Sequence, residues 1–172
     1  MKSYAGIGTR DISDDEYDKI ITIAKIMNKK DYILYSGNAN GSDIAFQEGS
    51  NGKCVIMLPW NKFNIDEYDY TFSRDYFDVG KTKNGLDSVD KFHPAPDKLS
   101  YGARSLMARN YHQIFGYKGY PRVDIVICCA NIKFGNVIGG TGQAVRIANH
   151  YKIPVINIRD KNWQDQFELF IK

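Results

Sequence analysis

Short apolar runs, several ending in a glycine-rich turn and followed by a helical pattern, recur along this chain of 172 residues. Predicted strands occupy residues 4–7, 32–35, 54–58, 123–129 and 154–158. Helices are predicted from a capping box at residues 13–16 to Met27, from about residues 41–43, and over residues 99–114, 143–151 and 162–171, the fourth after a glycine turn at residues 139–142. Because strands and helices alternate, we predict a Rossmann-like α/β fold, in which a parallel sheet is flanked by helices.

The composition favours a single globular domain over residues 1–172. Hydrophobic residues make up 43% of the chain, which excludes a disordered protein, and the length suits one hydrophobic core. The net charge is +3 and the basic residues form no run, which argues against nucleic acid as the partner. No apolar stretch is long enough to cross a bilayer, and residues 1–6 do not resemble the start of a signal peptide, so we expect a cytoplasmic protein.

The cysteines and histidines give no sign of a disulfide framework or a zinc site. Cys128 and Cys129 are neighbours in an apolar run, where their side chains would point to opposite faces of a strand. Cys54 lies in another apolar run. We therefore expect buried free thiols, and we predict neither a metal nor a cofactor.

Residues 60–97 interrupt the alternation and are predicted to be an irregular, aromatic-rich segment, either a functional loop or an insertion. Its rings could stack on a base, although local packing or a subunit interface would explain them equally well. These rings belong to Trp60, Phe63, Tyr68, Tyr70, Phe72, Tyr76 and Phe77. His93 in the same segment could act as an acid or base, but an exposed loop histidine is the favoured interpretation.

Three glycine-rich turns follow predicted strands, and in a parallel sheet they would meet at the carboxyl edge, where ligands bind. Glycine allows the backbone to approach a phosphate, and a helix N-terminus supplies free N–H donors. The candidate ligand-binding residues in these turns are Gly8, Thr9, Arg10, Ser36, Gly37, Asn38, Asp43, Gly139, Gly140, Thr141 and Gly142. The turn at residues 139–142 fits a phosphate best because a helix starts there.

Charged side chains add candidates with alternative roles. Arg10 could pair with a phosphate, and Asp43 could accept hydrogen bonds from a ribose or, as we prefer, cap the helix that it starts. Arg104 and Arg109 lie five positions apart on one predicted helix and are also candidates. Because that spacing does not place them on one narrow face, at least one should be a structural or solvated charge.

Together these turns resemble the SLOG superfamily, which includes DNA-processing protein A, LONELY GUY phosphoribohydrolases, molybdenum-cofactor carriers and sensor domains of antiphage effectors. The similarity extends to residues 58–60, 103–110 and 139–144 and so spans most of the chain. It implies a nucleotide-derived small molecule as ligand, in a homodimer or higher homo-oligomer.

The resemblance argues against one activity of that superfamily. The phosphoribohydrolase motif resembles Gly-Gly-x-Gly-Thr-x-x-Glu, but here Gln143 replaces the Thr and Arg146 replaces the catalytic Glu. A cation cannot stabilise the positive charge that develops during N-glycosidic cleavage, so we expect no catalytic residue of that type.

Three functional hypotheses follow. The first is a protein that senses or sequesters a cyclic ADP-ribose-type immune signal, as a phage anti-defence sponge would in a host cytoplasm. The second is a nucleotide-cleaving enzyme in which Asp43, Glu48 or His93 replaces the missing Glu. The third is a protein that binds single-stranded DNA through stacked aromatic rings.

Overall fold

A computed structural model of the chain describes residues 1–65 and 75–172, and a parallel sheet organises them. The sheet has the order β4-β3-β2-β1-β5-β8, and each neighbouring pair is parallel. Its strands are β1 (Lys2–Gly8), β2 (Tyr32–Ser36), β3 (Cys54–Leu58), β4 (Asp75–Asp78), β5 (Ile125–Cys129) and β8 (Val155–Asn157). A separate antiparallel hairpin pairs β6 (Ile132–Lys133) with β7 (Asn136–Val137). The prediction of a Rossmann-like α/β fold is confirmed.

Helices cover both faces of the sheet. They are α1 (Asp14–Lys29), α2 (Ser42–Ser50), α3 (Lys83–Phe92), α4 (Tyr101–Phe115), α5 (Gly139–His150) and α6 (Trp163–Ile171). One hydrophobic core lies between the sheet and helices α1, α2 and α6, and the other lies under α4 and α5. Cys129 belongs to the first core and Cys128 to the second, as expected for neighbours in a strand, and both are buried free thiols.

The strand order changes direction beside β1. The chain runs outward from β1 through β2, β3 and β4, then returns to place β5 on the other side of β1. Gly8 at the end of β1 pairs with Cys129 at the end of β5, so the loops that leave these strands separate at this point. Such a topological switch point leaves a crevice outside the carboxyl ends of the strands.

The prediction that residues 60–97 are irregular is wrong for much of the segment. Strand β4 and helix α3 lie within it, followed by a 3-10 turn at Pro96–Lys98. Strand β4 is an edge strand whose first three residues are only half-buried, which weakens the apolar signal of a strand. Helix α3 carries few apolar residues over its ten positions. Tyr68, Tyr70 and Phe72 lie outside the described residues.

Within the described ranges, no helix is both long and apolar enough to span a membrane. The other predicted helices and strands are present with shifts at their ends. Helix α5 begins at Gly139, four positions before the predicted start, so the glycine turn forms the first turn of the helix. Helix α1 has the expected capping box, in which the Ser13 hydroxyl accepts from the Glu16 N–H and the Glu16 carboxylate accepts from the Ser13 N–H. These bonds satisfy donors that a helix start otherwise leaves free.

Candidate functional site

A cavity of about 470 Å³ opens at the carboxyl edge of the sheet, at the switch point between β1 and β5. All three glycine-rich turns contribute residues to its wall, and α4 contributes others. The lining residues are Ile7, Gly8, Thr9, Arg10, Asp11, Ala39, Asp43, Leu106, Met107, Arg109, Asn110, Gln113, Ala130, Asn131, Ile138, Gly139, Gly140 and Thr141. This size and mixed lining are typical of sites for small molecules.

The turn after β1 is held in place by backbone contacts on both sides. The Thr9 N–H donates to the Cys129 carbonyl at 2.8 Å, and the Thr9 carbonyl accepts from the Ser42 hydroxyl at 2.7 Å. A Cβ at Gly8 would lie 2.4 Å from the Ser42 hydroxyl oxygen. Glycine is therefore required at position 8 for close packing, while Arg10 extends from the turn to the exposed end of the cavity.

The turn after β2 contributes Ala39 and Asp43 to the wall of the cavity, whereas its first residues lie outside the cavity. Ser36, Gly37 and Asn38 do not line it. The Asn38 side chain donates to the carbonyls of Phe63 and Asn64 at 3.0 and 3.1 Å, which ties this turn to the segment after β3.

Asp43 lines the cavity, but its predicted role as a helix cap is wrong. Helix α2 has Gly41 as its N-cap residue, and no side chain caps it. The Asp43 carboxylate instead accepts from the backbone N–H groups of Gly37 and Ala39 at 3.1 and 3.2 Å. It closes the turn through the same kind of bond that a cap would make, because the chain folds back over the start of the helix.

Arg109 comes from α4 and is buried against the turn after β2. One of its terminal nitrogens, Nη1, donates to the Gly37 carbonyl, and its guanidinium lies 5.8 Å from the centre of the Phe63 ring. A Cβ at Gly37 would overlap Nη1 and would lie 2.7 Å from the Gln113 side-chain nitrogen. Gly37 thus contributes space for two polar side chains.

Two residues at the inner end of the cavity carry buried polar atoms that have no hydrogen-bond partner in the described ranges, 1–65 and 75–172. These are Arg109 Nε and both Nε2 and Oε1 of Gln113, whose residues are 8% and 1% exposed. Buried polar groups are nearly always hydrogen-bonded in folded proteins, since an unsatisfied one costs roughly 1–3 kcal/mol. Two such residues on the wall of one cavity point to a polar ligand.

Burial shifts the pKa values of the charged pair at this end. Burial raises the pKa of Asp43, although the nearby Arg109 charge and the N–H donors of Ala39 and Gly37 oppose this shift. Burial likewise lowers the pKa of Arg109, and the Asp43 charge opposes it. Each charge therefore stabilises the charged form of the other in this buried environment.

The outer end of the cavity is formed by the N-terminus of α5. No side chain caps this helix, and its first turn carries no acidic residue. Gly139, Gly140 and Thr141 line the cavity, and the Asn110 side chain donates to the Gly140 carbonyl at 2.9 Å. A helix N-terminus with free N–H groups favours the binding of an anion, and Arg10 lines the same cavity.

Comparisons with known proteins place this geometry in a wider group. No family model and no curated protein sequence matches the chain. The fold is similar to DNA processing protein A from Helicobacter pylori, with a TM-score of 0.61, 18% identity, and 99% of this chain and 78% of that chain covered. It is also similar to the molybdenum cofactor carrier protein of Chlamydomonas reinhardtii, with a TM-score of 0.53, 12% identity, and 99% and 85% covered. The molybdenum cofactor binding protein of Rippkaea orientalis gives a TM-score of 0.54, 14% identity, and 99% and 84% covered.

The similarity to all three proteins, at identities of 12–18%, shows a shared fold. This chain has the Rossmann-like fold of these proteins.

Arg146, which stands where the phosphoribohydrolase motif has its catalytic Glu, does not line the cavity. Arg146 donates through Nε to the Phe92 carbonyl at 2.8 Å and through Nη2 to the Gln143 side chain at 2.9 Å. Gln143 in turn donates to the Ser88 carbonyl. Both residues therefore join α5 to α3, a structural role that explains why an arginine fits at position 146.

Two other predicted ligand-binding residues also lie outside the cavity. Arg104 forms an ion pair with Asp90 at 2.5 Å, in agreement with the expectation that at least one of the two helical arginines is structural or solvated. Gly142 packs against β7, where a Cβ would lie 2.6 Å from the Val137 carbonyl oxygen.

Sequence reasoning missed Asn110, Gln113 and Asn131 as members of the site. Arg109, Asn110 and Gln113 share the buried part of α4 and line the cavity together. Polar residues at helical spacing on a face that packs against a sheet were the available signal. Asn131 follows β5 and is positioned by Arg159, whose Nη1 donates to the Asn131 side-chain oxygen.

Proposed function

We propose that this protein binds a nucleotide-derived small molecule in the cavity at the switch point and holds it without cleaving it. The observation that carries the proposal is a set of buried polar atoms, Arg109 Nε and the Gln113 amide, that have no hydrogen-bond partner among the described residues. Both residues line the cavity that the α5 N-terminus also lines. The outer end suits a phosphate, and the inner end suits a polar group. The proposed ligand contacts include Gly8, Thr9, Arg10, Asp43 and residues 139–141.

The ligand that we favour is a cyclic ADP-ribose-type signal, which this protein would sequester in the manner of a phage anti-defence sponge. A ligand of that class carries phosphates, ribose hydroxyls and a base, and the cavity offers complementary groups to each. Support for the small-molecule class comes also from the two structural neighbours named as molybdenum cofactor proteins.

Native mass spectrometry of the purified protein tests the proposal directly. The protein is incubated with the four nucleoside 5′-monophosphates, cyclic ADP-ribose and its isomers, and ligands are then released by denaturation and identified. We expect at least one compound to bind and to be recovered unchanged. A recovered cleavage product would overturn the sequestering role, and binding of none would overturn the ligand class.

Substitutions at the outer end locate the site. Gly140→Asp places a negative charge in the first turn of α5. This charge interacts favourably with the helix dipole but repels a phosphate. The nearest atom to a Cβ at Gly140 is Met107 Cε at 3.9 Å, so the side chain fits. We expect at least a tenfold loss of affinity by isothermal titration calorimetry, while the uncharged control Gly140→Asn retains most of it. Arg10→Ala should weaken binding as well, and unchanged affinity in both Gly140→Asp and Arg10→Ala would exclude this site.

The enzyme hypothesis has less support. Neither Glu48 nor His93 lines the cavity: Glu48 accepts from the Tyr17 hydroxyl at 2.8 Å, and the His93 ring accepts from the Ala95 N–H at 3.1 Å. Asp43 lines it, but its carboxylate is used by the turn.

Single-stranded DNA is a second candidate ligand, favoured by the similarity to the Helicobacter pylori protein, which is described by its single-stranded DNA binding mode. Titration of a fluorescent oligonucleotide at two salt concentrations tests it. Binding that weakens steeply with salt would support DNA as the ligand.

A further inference from the structure

We infer that the inner end of the cavity reads an uncharged planar edge that carries neighbouring hydrogen-bond donors and acceptors, such as a nucleobase or a carboxamide. This inference rests on the proposed function and assigns its specificity to Gln113, with Arg109 beside it. The phosphate would bind at the opposite, outer end.

A gradient of exposure separates the two ends. Arg10, Asp11, Asn131 and residues 138–140 are exposed. Arg109, Asn110, Gln113 and Asp43 are buried in the protein interior. A ligand that fills the cavity therefore has one end near solvent and one end surrounded by protein.

The unpartnered atoms of Gln113 and Arg109 are buried within the inner wall of the cavity, and they define what a ligand group that reaches them must supply. Gln113 presents an amide with two N–H donors and a carbonyl acceptor, and Arg109 Nε presents one further donor. A complementary group needs an acceptor for Arg109 and both an acceptor and a donor for Gln113. Nucleobase edges and primary carboxamides carry donors and acceptors side by side, whereas a phosphate at neutral pH offers acceptors almost alone.

The charges at the inner end also favour a neutral group. The positive charge of the Arg109 guanidinium is offset there by the negative charge of the Asp43 carboxylate, which would repel a second anion. The outer end has Arg10 and a helix N-terminus without acidic residues in its first turn, and its one carboxylate, Asp11, is exposed to solvent. A ligand with a phosphate and a base therefore gains most by placing the phosphate outward.

Apolar side chains complete the cavity wall. Ile7, Ala39, Leu106, Met107 and Ala130 line it beside the polar groups. Such walls suit the faces of a planar ring, while its edge makes the directional hydrogen bonds.

The test compares ligands that carry a nucleobase with a ligand that lacks one. Isothermal titration calorimetry is run with ribose 5-phosphate, the four nucleoside 5′-monophosphates and cyclic ADP-ribose. We expect the tightest of the base-containing compounds to bind wild-type protein at least tenfold more tightly than ribose 5-phosphate. A site built for hydrogen bonds discriminates strongly against an analogue that lacks them.

Gln113→Leu then assigns this discrimination to one side chain. We expect it to reduce affinity for the base-containing compound at least tenfold and to leave the affinity for ribose 5-phosphate within twofold. Because the Gln113 amide makes no hydrogen bond to any residue that the structure describes, the thermal midpoint should be unchanged or higher.

Gln143→Leu is the matched control. Gln143 is as deeply buried as Gln113, with 0% of its surface exposed. Its amide, however, forms hydrogen bonds with Ser88 and Arg146 outside the cavity. This variant should lower the thermal midpoint and keep the wild-type ratio of affinities. The inference is overturned if ribose 5-phosphate binds wild-type protein as tightly as every base-containing compound, or if Gln113→Leu lowers both affinities equally. Binding of no compound at all overturns the proposed function as well.

Discussion

At the residue scale, a glycine in a ligand-binding turn can act through the side chains that it accommodates. Gly37 was expected to approach a ligand, but it lies behind the cavity wall and leaves room for Arg109 and Gln113. Arg104 and Arg109 show the same dependence on surroundings. One pairs with Asp90 at the surface, and the other is buried beside the cavity, although both lie on α4.

Gly37→Ala tests this role. The added methyl group would overlap Arg109 Nη1 and force the guanidinium toward the cavity. We expect a loss of about 1–3 kcal/mol in the free energy of unfolding, as for other overpacked sites, together with weaker ligand binding. Urea unfolding and calorimetry measure the two effects.

Gly102→Ala serves as the control because the nearest atom to its Cβ is Trp60 Cζ3 at 3.9 Å. This change should leave binding unaffected. If Gly37→Ala were as neutral as Gly102→Ala in both measurements, the packing of Arg109 against Gly37 would not support the site.

At the scale of elements, the helices differ in how their first N–H groups are satisfied. The N-cap residues of helices α1, α3 and α4 are Ser13, Thr82 and Ser100. The hydroxyl of each accepts a hydrogen bond from a backbone N–H in the first turn of its helix. Helix α5 has no such cap, and its first turn lines the cavity. The free donors of α5 are therefore available to a ligand, whereas those of α1 are used within the protein.

Ser13→Ala should destabilise the protein by about 1 kcal/mol, because it removes the hydroxyl half of the α1 capping box. Chemical denaturation gives the value. Ser13→Thr keeps the hydroxyl and should recover most of the loss. An equal loss in both variants would show that the hydrogen bond is not the source of the stability.

At the scale of the whole molecule, one ion pair joins the beginning of the chain to its end beside the cavity. Arg159 contacts the Glu16 carboxylate through Nε at 2.7 Å and Nη2 at 2.9 Å. Its guanidinium also donates to the Asp11 carbonyl and the Asn131 side chain, both in cavity-lining residues. Arg159 thus connects the exits of β1, β5 and β8.

This ion pair predicts an acid-sensitive part of the stability. The hydrogen bond from Arg159 lowers the pKa of Glu16 to about 2 from an ordinary value of 4.5. A depressed carboxyl pKa stabilises the folded state above the unfolded pKa, and this contribution is lost as the pH falls from about 4.5 to about 2. We expect Glu16→Gln to lower the free energy of unfolding by about 1 kcal/mol near neutral pH. As the pH falls from about 4.5 to about 2, the variant should lose less of its free energy of unfolding than the wild type does.

Urea unfolding at several pH values provides the measurement. Glu168→Gln is the control, since Glu168 forms no ion pair within the described part of the chain. Parallel pH profiles for wild type and Glu16→Gln would exclude the ion pair as the source of the acid sensitivity.

The sequence by itself determined the elements that carry strong local signals. The apolar run of β3 and the Ser-Asp-Asp-Glu start of α1 are found where predicted, because hydrophobic spacing and capping depend on neighbouring residues. It also determined that the turns after β1 and before α5 share one edge, since parallel strands place their ends together.

Only the tertiary structure decided which polar residues reach the cavity. Gln113 and Arg109 are distinguished from Arg104 by what packs against α4, and that contact comes from a turn more than 70 positions earlier in the chain. The edge strand β4 and the weakly apolar α3 likewise depend on distant partners. The physical reason is that burial and hydrogen-bond satisfaction are properties of the assembled layers, whereas periodicity and capping are properties of a short segment.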